Sequence, residues 1–188
     1  ENELITNDGA QAGDLLFLTK PLGAGSITTS VKRDIANQAH VDDAVAGMMR
    51  LNDTAAIAMK AAQVTTATDI TGFGLMGHAF NIARSSNVVL RFDASALPFY
   101  EGALELAGAG VCSGASSRGR DIYGPNVTIG QDVADAVSDI CFDAETSGGV
   151  LVCVKPPQVA AFKSSLGLED MFVQVGEVVA GEAGIVLG

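Results

Sequence analysis

The chain has 188 residues, of which 48% are hydrophobic and 18% are charged, a composition typical of one globular domain with a sizeable core. Acidic residues outnumber basic residues 22 to 11, giving a formal net charge of −11. No cluster of Lys and Arg is interleaved with aromatic residues, which argues against nucleic acid as a partner. Apolar runs fall far short of the roughly 20 residues that cross a bilayer, so no membrane partner is expected.

Residues 1–12 are polar and rich in turn-forming residues, which favours a linker remnant or a tail. The chain opens at Glu1 without an initiator methionine and soon enters an apolar strand pattern. We therefore expect a fragment of a longer protein, with the folded domain at residues 13–188.

The chain contains three cysteines, Cys112, Cys141 and Cys153. An odd number without C-x-x-C spacing argues against a disulfide framework and against a zinc site. A reducing compartment, the cytoplasm, is the expected location. Cys141 and Cys153 lie in apolar runs, where a buried and inert thiol is expected.

Hydrophobic periodicity and the turn-forming residues predict alternating strands and helices along the chain. The first part of the chain is predicted to form a strand at 15–19, a loop at 20–25, a helix from residue 26 and a helix at 42–63 with Asp42 near its N-cap. A strand at 65–70, a helix after the glycines of 72–77, a strand at 88–92, a helix at 98–107 and a long loop at 108–130 follow. The last part is predicted to form a helix at 131–138, strands at 140–142 and 150–154, a helix at 156–166, and strands at 172–178 and 185–187. Because strict βαβ regularity is missing, we predict an α+β domain, layered α/β/α around a mixed sheet.

The segment at 68–78, T-D-I-T-G-F-G-L-M-G-H, places the carboxylate of Asp69 at a strand end, just before glycines. Such a carboxylate is a candidate Mg²⁺ ligand, and a helix beginning after the glycines offers free N–H groups to a phosphate. A structural turn with Asp69 as the helix cap is an equal alternative. We expect His78 to be structural, packed one turn into the helix.

The segment at 143–149, D-A-E-T-S-G-G, gathers the hydroxyls of Thr146 and Ser147 and the amides of Gly148 and Gly149 between two strands. Such donors can bind phosphate, but they also form ordinary turns, and taken alone the turn is favoured.

The segment at 13–25, G-D-L-L-F-L-T-K-P-L-G-A-G, places Lys20 at a strand exit beside a flexible loop. Lys20 is a candidate phosphate ligand, although a solvated lysine is the simpler interpretation. Arg118 and Arg120 are either an anion clamp or surface charges. With two histidines and no G-x-S-x-G elbow a hydrolase triad is not indicated, and no dinucleotide-binding fingerprint is present.

Together the three segments, in this order and spacing, resemble selenophosphate synthetases: G-D-x-L-x-L-T-K-P-L-G-x-G, T-D-[IV]-T-G-F-G-L-x-G-H and D-x-x-T-S-G-G. The L-N-x-x-A segment at residue 51 resembles the family as well, and residues 114–123 look like a diverged form of its glycine and arginine loop. The resemblance implies the C-terminal domain fold of the aminoimidazole ribonucleotide synthetase superfamily.

The activity implied for the full-length enzyme is conversion of ATP, selenide and water into selenophosphate, AMP and phosphate. Asp69 then matches a carboxylate that joins aspartates of an absent N-terminal ATP-binding domain around Mg²⁺ and the phosphates. The resemblance makes a group of further motif residues candidates for the ligand-facing wall. These are Lys20, Thr71, Gly72, Thr146, Ser147, Gly148 and Gly149.

The resemblance implies no catalytic residue in this fragment, because no counterpart of the family's reactive Cys or selenocysteine is present. The partners it implies are the chain's own N-terminal domain, selenide as the substrate, and a second copy in a homodimer. The alternatives are another ATP-using member of the superfamily, of the hydrogenase-maturation, thiamine phosphate kinase or purine-synthesis type, and a non-catalytic scaffold domain.

Overall fold

The computed structural model describes residues 4–167 and 170–188, and the first three residues of the predicted linker lie outside this part of the chain. Its seven strands form one mixed sheet in the order β2-β5-β1-β6-β3-β7-β4, which confirms the predicted α+β class. The strands are β1 (Leu15–Leu18), β2 (Thr66–Asp69), β3 (Val89–Phe92), β4 (Val127–Ile129), β5 (Val150–Val154), β6 (Val173–Val179) and β7 (Gly184–Leu187). The α-helices are α1 (Ala24–Lys32), α2 (Gln38–Met49), α3 (Asp53–Ala61), α4 (Gly74–Ser86), α5 (Ala103–Gly108), α6 (Gly114–Tyr123), α7 (Asp135–Phe142) and α8 (Val159–Ser164).

Alternation along the central strands divides the core into two layers. On β1, Leu16 and Leu18 face the larger core with α1, α4, α5 and α7, while Phe17 faces a smaller core with α3 and α8. This is the side-chain period of two that a strand buried on both faces requires. The α/β/α layering follows from it.

The strand β5 pairs antiparallel with both of its neighbours, β1 and β2. The carboxyl ends of β1 and β2 therefore lie beside the amino end of β5. The strand β6 pairs antiparallel with β1 and β3, and the two remaining pairs, β3–β7 and β7–β4, are parallel.

Segment 4–12, predicted as a linker or tail, lies along the open edge of β2. The N–H of Thr6 donates to the Thr65 carbonyl at 3.1 Å, and the Thr6 carbonyl accepts from Ala67 at 3.1 Å. Ala10 is buried against the larger core. This pairing covers the exposed backbone groups of an edge strand.

The predicted helix at 42–63 is wrong in its continuity and its start. Two helices, α2 and α3, replace it, the first capped by Asn37, whose side chain accepts from Ala39, rather than by Asp42. The break at Arg50 has an extended backbone, with φ −68° and ψ 126°. Tertiary contacts hold it open, because the Arg50 carbonyl accepts from the Lys20 ammonium.

The loop predicted at 108–130 is also wrong, since it contains α6, a short 3₁₀ turn and β4. Ser113 caps α6 by accepting from the N–H of Ala115. Gly119 suits this helix because a Cβ atom there would lie 2.8 Å from the Phe142 carbonyl oxygen. The glycines that indicated a loop therefore include one that allows close helix packing.

Residues 140–142 are helical rather than a strand. Ile140, Cys141 and Phe142 are all fully buried and end α7, which begins later than predicted, at Asp135. A short apolar run fits either a buried strand or a buried helix, so periodicity alone does not separate the two. Two other predicted helices are shorter than expected: α5 begins at Ala103, and α8 follows a 3₁₀ turn at Pro156–Gln158.

We predict that Gly176→Ala destabilises the domain by about 1–3 kcal/mol, because the added Cβ atom would overlap the Arg91 carbonyl oxygen of the adjacent strand. Gly184→Ala is the matched control, since a Cβ atom there meets its nearest neighbour, the Asn126 carbonyl oxygen, at 3.5 Å. Urea unfolding of both variants checks this. Equal midpoints for the two would contradict the close approach of β3 and β6.

Candidate functional site

The three motif segments meet at one end of the sheet. Asp69, the last residue of β2, pairs with Val150, the first residue of β5. Next to this pair, Leu18 of β1 lies opposite Leu151. The N–H of Ile70 donates to the Gly149 carbonyl at 2.8 Å, and the N–H of Glu145 donates to the Thr71 carbonyl at 3.0 Å. The three motif segments thus lie together at one end of the sheet.

Asp69 is exposed at this end of the sheet. Among the residues that the structure describes, none donates a hydrogen bond to its carboxylate. The N-cap of α4 is Phe73, with no side-chain cap hydrogen bond, so the alternative that Asp69 caps this helix is wrong. The carboxylate is left with both oxygens available to an external ligand.

The turn after Asp69 is held by His78, a residue of the following helix α4. His78 is 8% exposed, and its Nε2 accepts from the Thr71 N–H at 3.0 Å, with the Thr71 hydroxyl also 3.0 Å away. Burial lowers the pKa of His78, while the nearby Asp69 charge opposes that shift. A neutral His78 acting as an acceptor matches its expected structural role. Gly72 is exposed, with open space where a Cβ atom would stand.

The turn before β5 presents hydroxyls outward and glycines inward. Thr146 and Ser147 are exposed, and Ser147 has a left-handed backbone with φ 53°. A Cβ atom on Gly148 would lie 2.5 Å from the Ile70 carbonyl oxygen, and one on Gly149 would lie 2.6 Å from the backbone nitrogen of Lys20. Both glycines are therefore required by close backbone approach, while the hydroxyls stay accessible.

Lys20 is not solvated, because its side chain is 4% exposed. Its Nζ donates to the Arg50 carbonyl at 2.6 Å and to the Ser147 carbonyl at 2.9 Å. Burial, with a smaller contribution from the Arg50 charge, lowers the pKa of Lys20. The ammonium thus ties the T-S-G-G turn to the break between α2 and α3. Whether it also meets a phosphate stays a prediction.

Asn52 is a further residue of this region and was not predicted as a candidate ligand. Its Nδ2 donates to the Gly148 carbonyl at 3.0 Å. The segment between α2 and α3 is therefore connected to the T-S-G-G turn by two side chains, Asn52 directly and Lys20 as a bridge between two carbonyl groups. The resemblance of the L-N-x-x-A segment was the only signal for it.

Two buried acids in the same turn were also missed. Asp143 is fully buried, and its Oδ2 accepts from the Ser113 N–H at 3.0 Å. Glu145 is 2% exposed, and its two oxygens accept from the N–H groups of Gly23 at 2.6 Å and Ala24 at 3.1 Å. Burial raises the pKa of Glu145 to about 8, against the opposing effect of these two backbone donors.

Arg120 is held as a structural residue. It pairs with Asp139 at 2.6 Å, donates to the Ser138 hydroxyl at 2.9 Å and lies 4.9 Å above the Phe142 ring centre. Arg118 is exposed. The two cysteines expected to be inert are buried, and burial raises the pKa of Cys153 to about 12.

Within residues 4–167 and 170–188, no three or more His, Cys, Asp or Glu side chains are placed to hold a metal ion together. Asp69 therefore has no such group of side chains around it in this part of the chain. None of the helices in the same part of the chain has the length and apolar character needed to cross a membrane.

The fold and the clustered motifs define the chain as an α+β domain whose three motif segments meet at one end of the sheet. It belongs to the family of AIR synthase related proteins, as their C-terminal domain, and the family model matches residues 11–188. This confirms the superfamily that the three motifs indicated.

The resemblance to selenophosphate synthetases is confirmed by a curated relative, the selenide, water dikinase of Pelobacter propionicus (strain DSM 2379 / NBRC 103807 / OttBd1). It is 38% identical over 182 residues, covering 95% of this chain and 52% of the relative. The chain therefore spans about half the length of the curated relatives it matches.

Solved structures share the fold at low sequence identity. A thiamine-monophosphate kinase from Stenotrophomonas maltophilia K279a superposes with a TM-score of 0.67 at 19% identity, over 97% of this chain and 52% of the kinase. The hydrogenase maturation protein HypE in complex with ATP gives 0.62 at 16% identity, over 97% of this chain and 49% of HypE. Both likenesses establish the architecture alone.

We predict that His78 contributes a loss of stability as the pH falls below 6.5, the ordinary pKa of histidine, while Glu145, whose pKa is raised, contributes in the opposite direction over this range. The pKa of His78 is lowered in the folded state, so below 6.5 the unfolded chain binds the proton and the folded chain does not, giving a slope of at most about 1.4 kcal/mol per pH unit. Unfolding free energies of His78→Gln, which keeps an acceptor but does not titrate, should lack this component.

His40→Asn is the matched control, since His40 and His78 are the two histidines of the chain. It should keep the pH dependence of the unfolding free energy seen in the unaltered chain. A His78→Gln variant with the same pH dependence as the unaltered chain would contradict the assignment to His78.

Proposed function

We propose that this chain is the C-terminal domain of an ATP-dependent selenophosphate synthetase, which converts ATP, selenide and water into selenophosphate, AMP and phosphate. The main support is the convergence of three motif segments at one end of the sheet. Unlike Asp14, Asp143 and Glu145, the described motif residue Asp69 has a carboxylate with no internal donor. The 38% identity to a selenide, water dikinase supports the choice of this activity.

In this proposal Asp69 supplies one oxygen ligand to Mg²⁺. Magnesium prefers octahedral oxygen coordination and is usually held by one or two carboxylates together with substrate phosphates. A lone exposed carboxylate at a strand end fits that requirement, provided that other ligands come from a partner domain. The bound ion would neutralise charge on the ATP phosphates.

The wall around Asp69 divides into two kinds of residue. The side chains of Thr71, Thr146 and Ser147 and the backbone of Gly72 reach the surface and would donate to phosphate or product oxygens. Lys20, Gly148 and Gly149 stand behind them and would fix the shape of the wall through their backbone contacts. We assign no catalytic residue to this chain.

The missing ligands require a second domain, and the apolar rim of the site supports its docking here. Leu51 and Phe73 are 71% and 55% exposed and lie on segments bonded to the T-S-G-G turn. We propose that the N-terminal ATP-binding domain of the same protein covers them, in a homodimer that works on selenide in the cytoplasm.

We predict that Asp69→Asn in the full-length protein lowers selenide-dependent AMP formation by about 100-fold or more, because a neutral amide replaces a metal-binding carboxylate. Release of AMP from ATP, measured with and without selenide, checks this. The control is Asp132→Asn, an exposed aspartate outside the motif surface, which should keep normal activity. Full activity of Asp69→Asn would contradict the metal role and favour the scaffold alternative.

We predict that the isolated chain of 188 residues folds but neither hydrolyses ATP nor binds it tightly, since it contributes one metal ligand and part of a wall. Isothermal calorimetry with Mg-ATP, beside a melting curve that establishes folding, is the measurement. Strong binding of Mg-ATP by the isolated chain would mean that the nucleotide site lies within this domain, contrary to the proposal.

A further inference from the structure

We propose that Glu145 is the residue that positions the three segments of the site relative to one another. The inference rests on the function proposed above, because it assigns to Glu145 a positioning role for that reaction. Glu145 does not reach the surface, being 2% exposed, and it is not expected to touch substrate or metal.

The contacts of Glu145 join all three segments. Its N–H donates to the Thr71 carbonyl at 3.0 Å, two residues beyond Asp69. Its carboxylate accepts from the N–H groups of Gly23 and Ala24, in the loop that follows Lys20. Thr146, the first residue of the T-S-G-G turn, follows Glu145 directly in the chain. One side chain and one peptide group therefore fix the spacing of the whole candidate site.

The carboxylate acts as an N-cap supplied from a distant part of the chain. Helix α1 has nine residues, and its N-cap is Gly23, which has a left-handed backbone with φ 110° and no side chain to cap the first turn. Free N–H groups at a helix start need an acceptor. Glu145 provides that acceptor from a position 122 residues away.

The surrounding packing leaves little freedom for a different arrangement. A Cβ atom on Gly25 would lie 2.6 Å from both the Ala144 carbonyl oxygen and the Asp143 Oδ2, so the first turn of α1 lies directly against the turn before Glu145. Gly23 and Ala24 are buried. Without Glu145, their N–H groups would face the interior with no acceptor, and the loop from Lys20 to α1 would shift to recover one.

Asp143, two residues earlier, anchors a different element. Its carboxylate binds Ser113 at the start of α6 and the N–H of Ala144, and neither residue belongs to the candidate ligand set. The two buried acids of this turn therefore have different roles: Asp143 fixes α6, and Glu145 fixes the site segments.

The test compares Glu145→Ala and Glu145→Gln with Asp14→Ala in the full-length protein. Asp14 is also a buried acid, 5% exposed, but it accepts from Gln11 at the opposite end of β1. Amide hydrogen exchange is followed in segments 20–26 and 69–74 and in the core strand β3. Glu145→Ala should raise exchange in both site segments by roughly tenfold beyond any change in β3, whereas Asp14→Ala should not.

Activity provides the second readout. Glu145→Ala should lower the kcat of selenide-dependent AMP formation by roughly 10- to 100-fold through misplacement of Asp69 and the turn, and Glu145→Gln, which keeps one acceptor oxygen, should recover part of the loss. If Glu145→Ala does not fold, the exchange and kcat of Glu145→Gln alone carry the test. If the unaltered protein makes no AMP in response to selenide, the proposed function fails, while hydrogen exchange still decides the role of Glu145.

Site segments that exchange only in parallel with β3, or kcat values equal to that of the unaltered protein for both Glu145 variants, would overturn the positioning role.

Discussion

The antiparallel pairing of β5 with both β1 and β2 is the constraint on which the candidate site depends. Because β5 runs against both neighbours, its first residue lies beside the last residues of two strands that are distant in sequence. The three motif segments are the connections at this end of the sheet. Their convergence is thus a property of strand direction and register, and a register slip of one residue would turn every side chain to the other face.

Within the described part of the chain, the buried Lys20 and Glu145 side chains bond to backbone groups and not to side chains of opposite charge. The Lys20 ammonium satisfies two carbonyl groups, and the Glu145 carboxylate satisfies two N–H groups at the start of α1. Burying a polar side chain is costly unless hydrogen-bond partners of this kind are present. The two buried side chains thus hold the connections rigidly and leave the exposed Asp69 as the free carboxylate of the motifs.

The glycines of the motifs serve this same rigidity. Gly148 and Gly149 bring the turn against the backbones of Ile70 and Lys20, and Gly25 brings α1 against the turn. Gly72, by contrast, has open space around it. One glycine in the motif surface therefore allows approach from outside, while the others allow approach of the chain to itself, a distinction that the sequence pattern alone does not make.

The sequence by itself determined the strands β1, β2, β3, β5, β6 and β7, the α+β class and the family, since alternating burial and three ordered motifs are local signals. It also indicated Asp69, because a carboxylate between a strand and a glycine turn is visible in the pattern. The tertiary structure decided the rest: the break of one predicted helix at Arg50, the helices α6 and α7, and the roles of Lys20, Asn52 and Glu145. These depend on partners up to 127 residues away, such as the Ser147 carbonyl that binds Lys20, and hydrogen bonds between such distant residues leave no local periodicity.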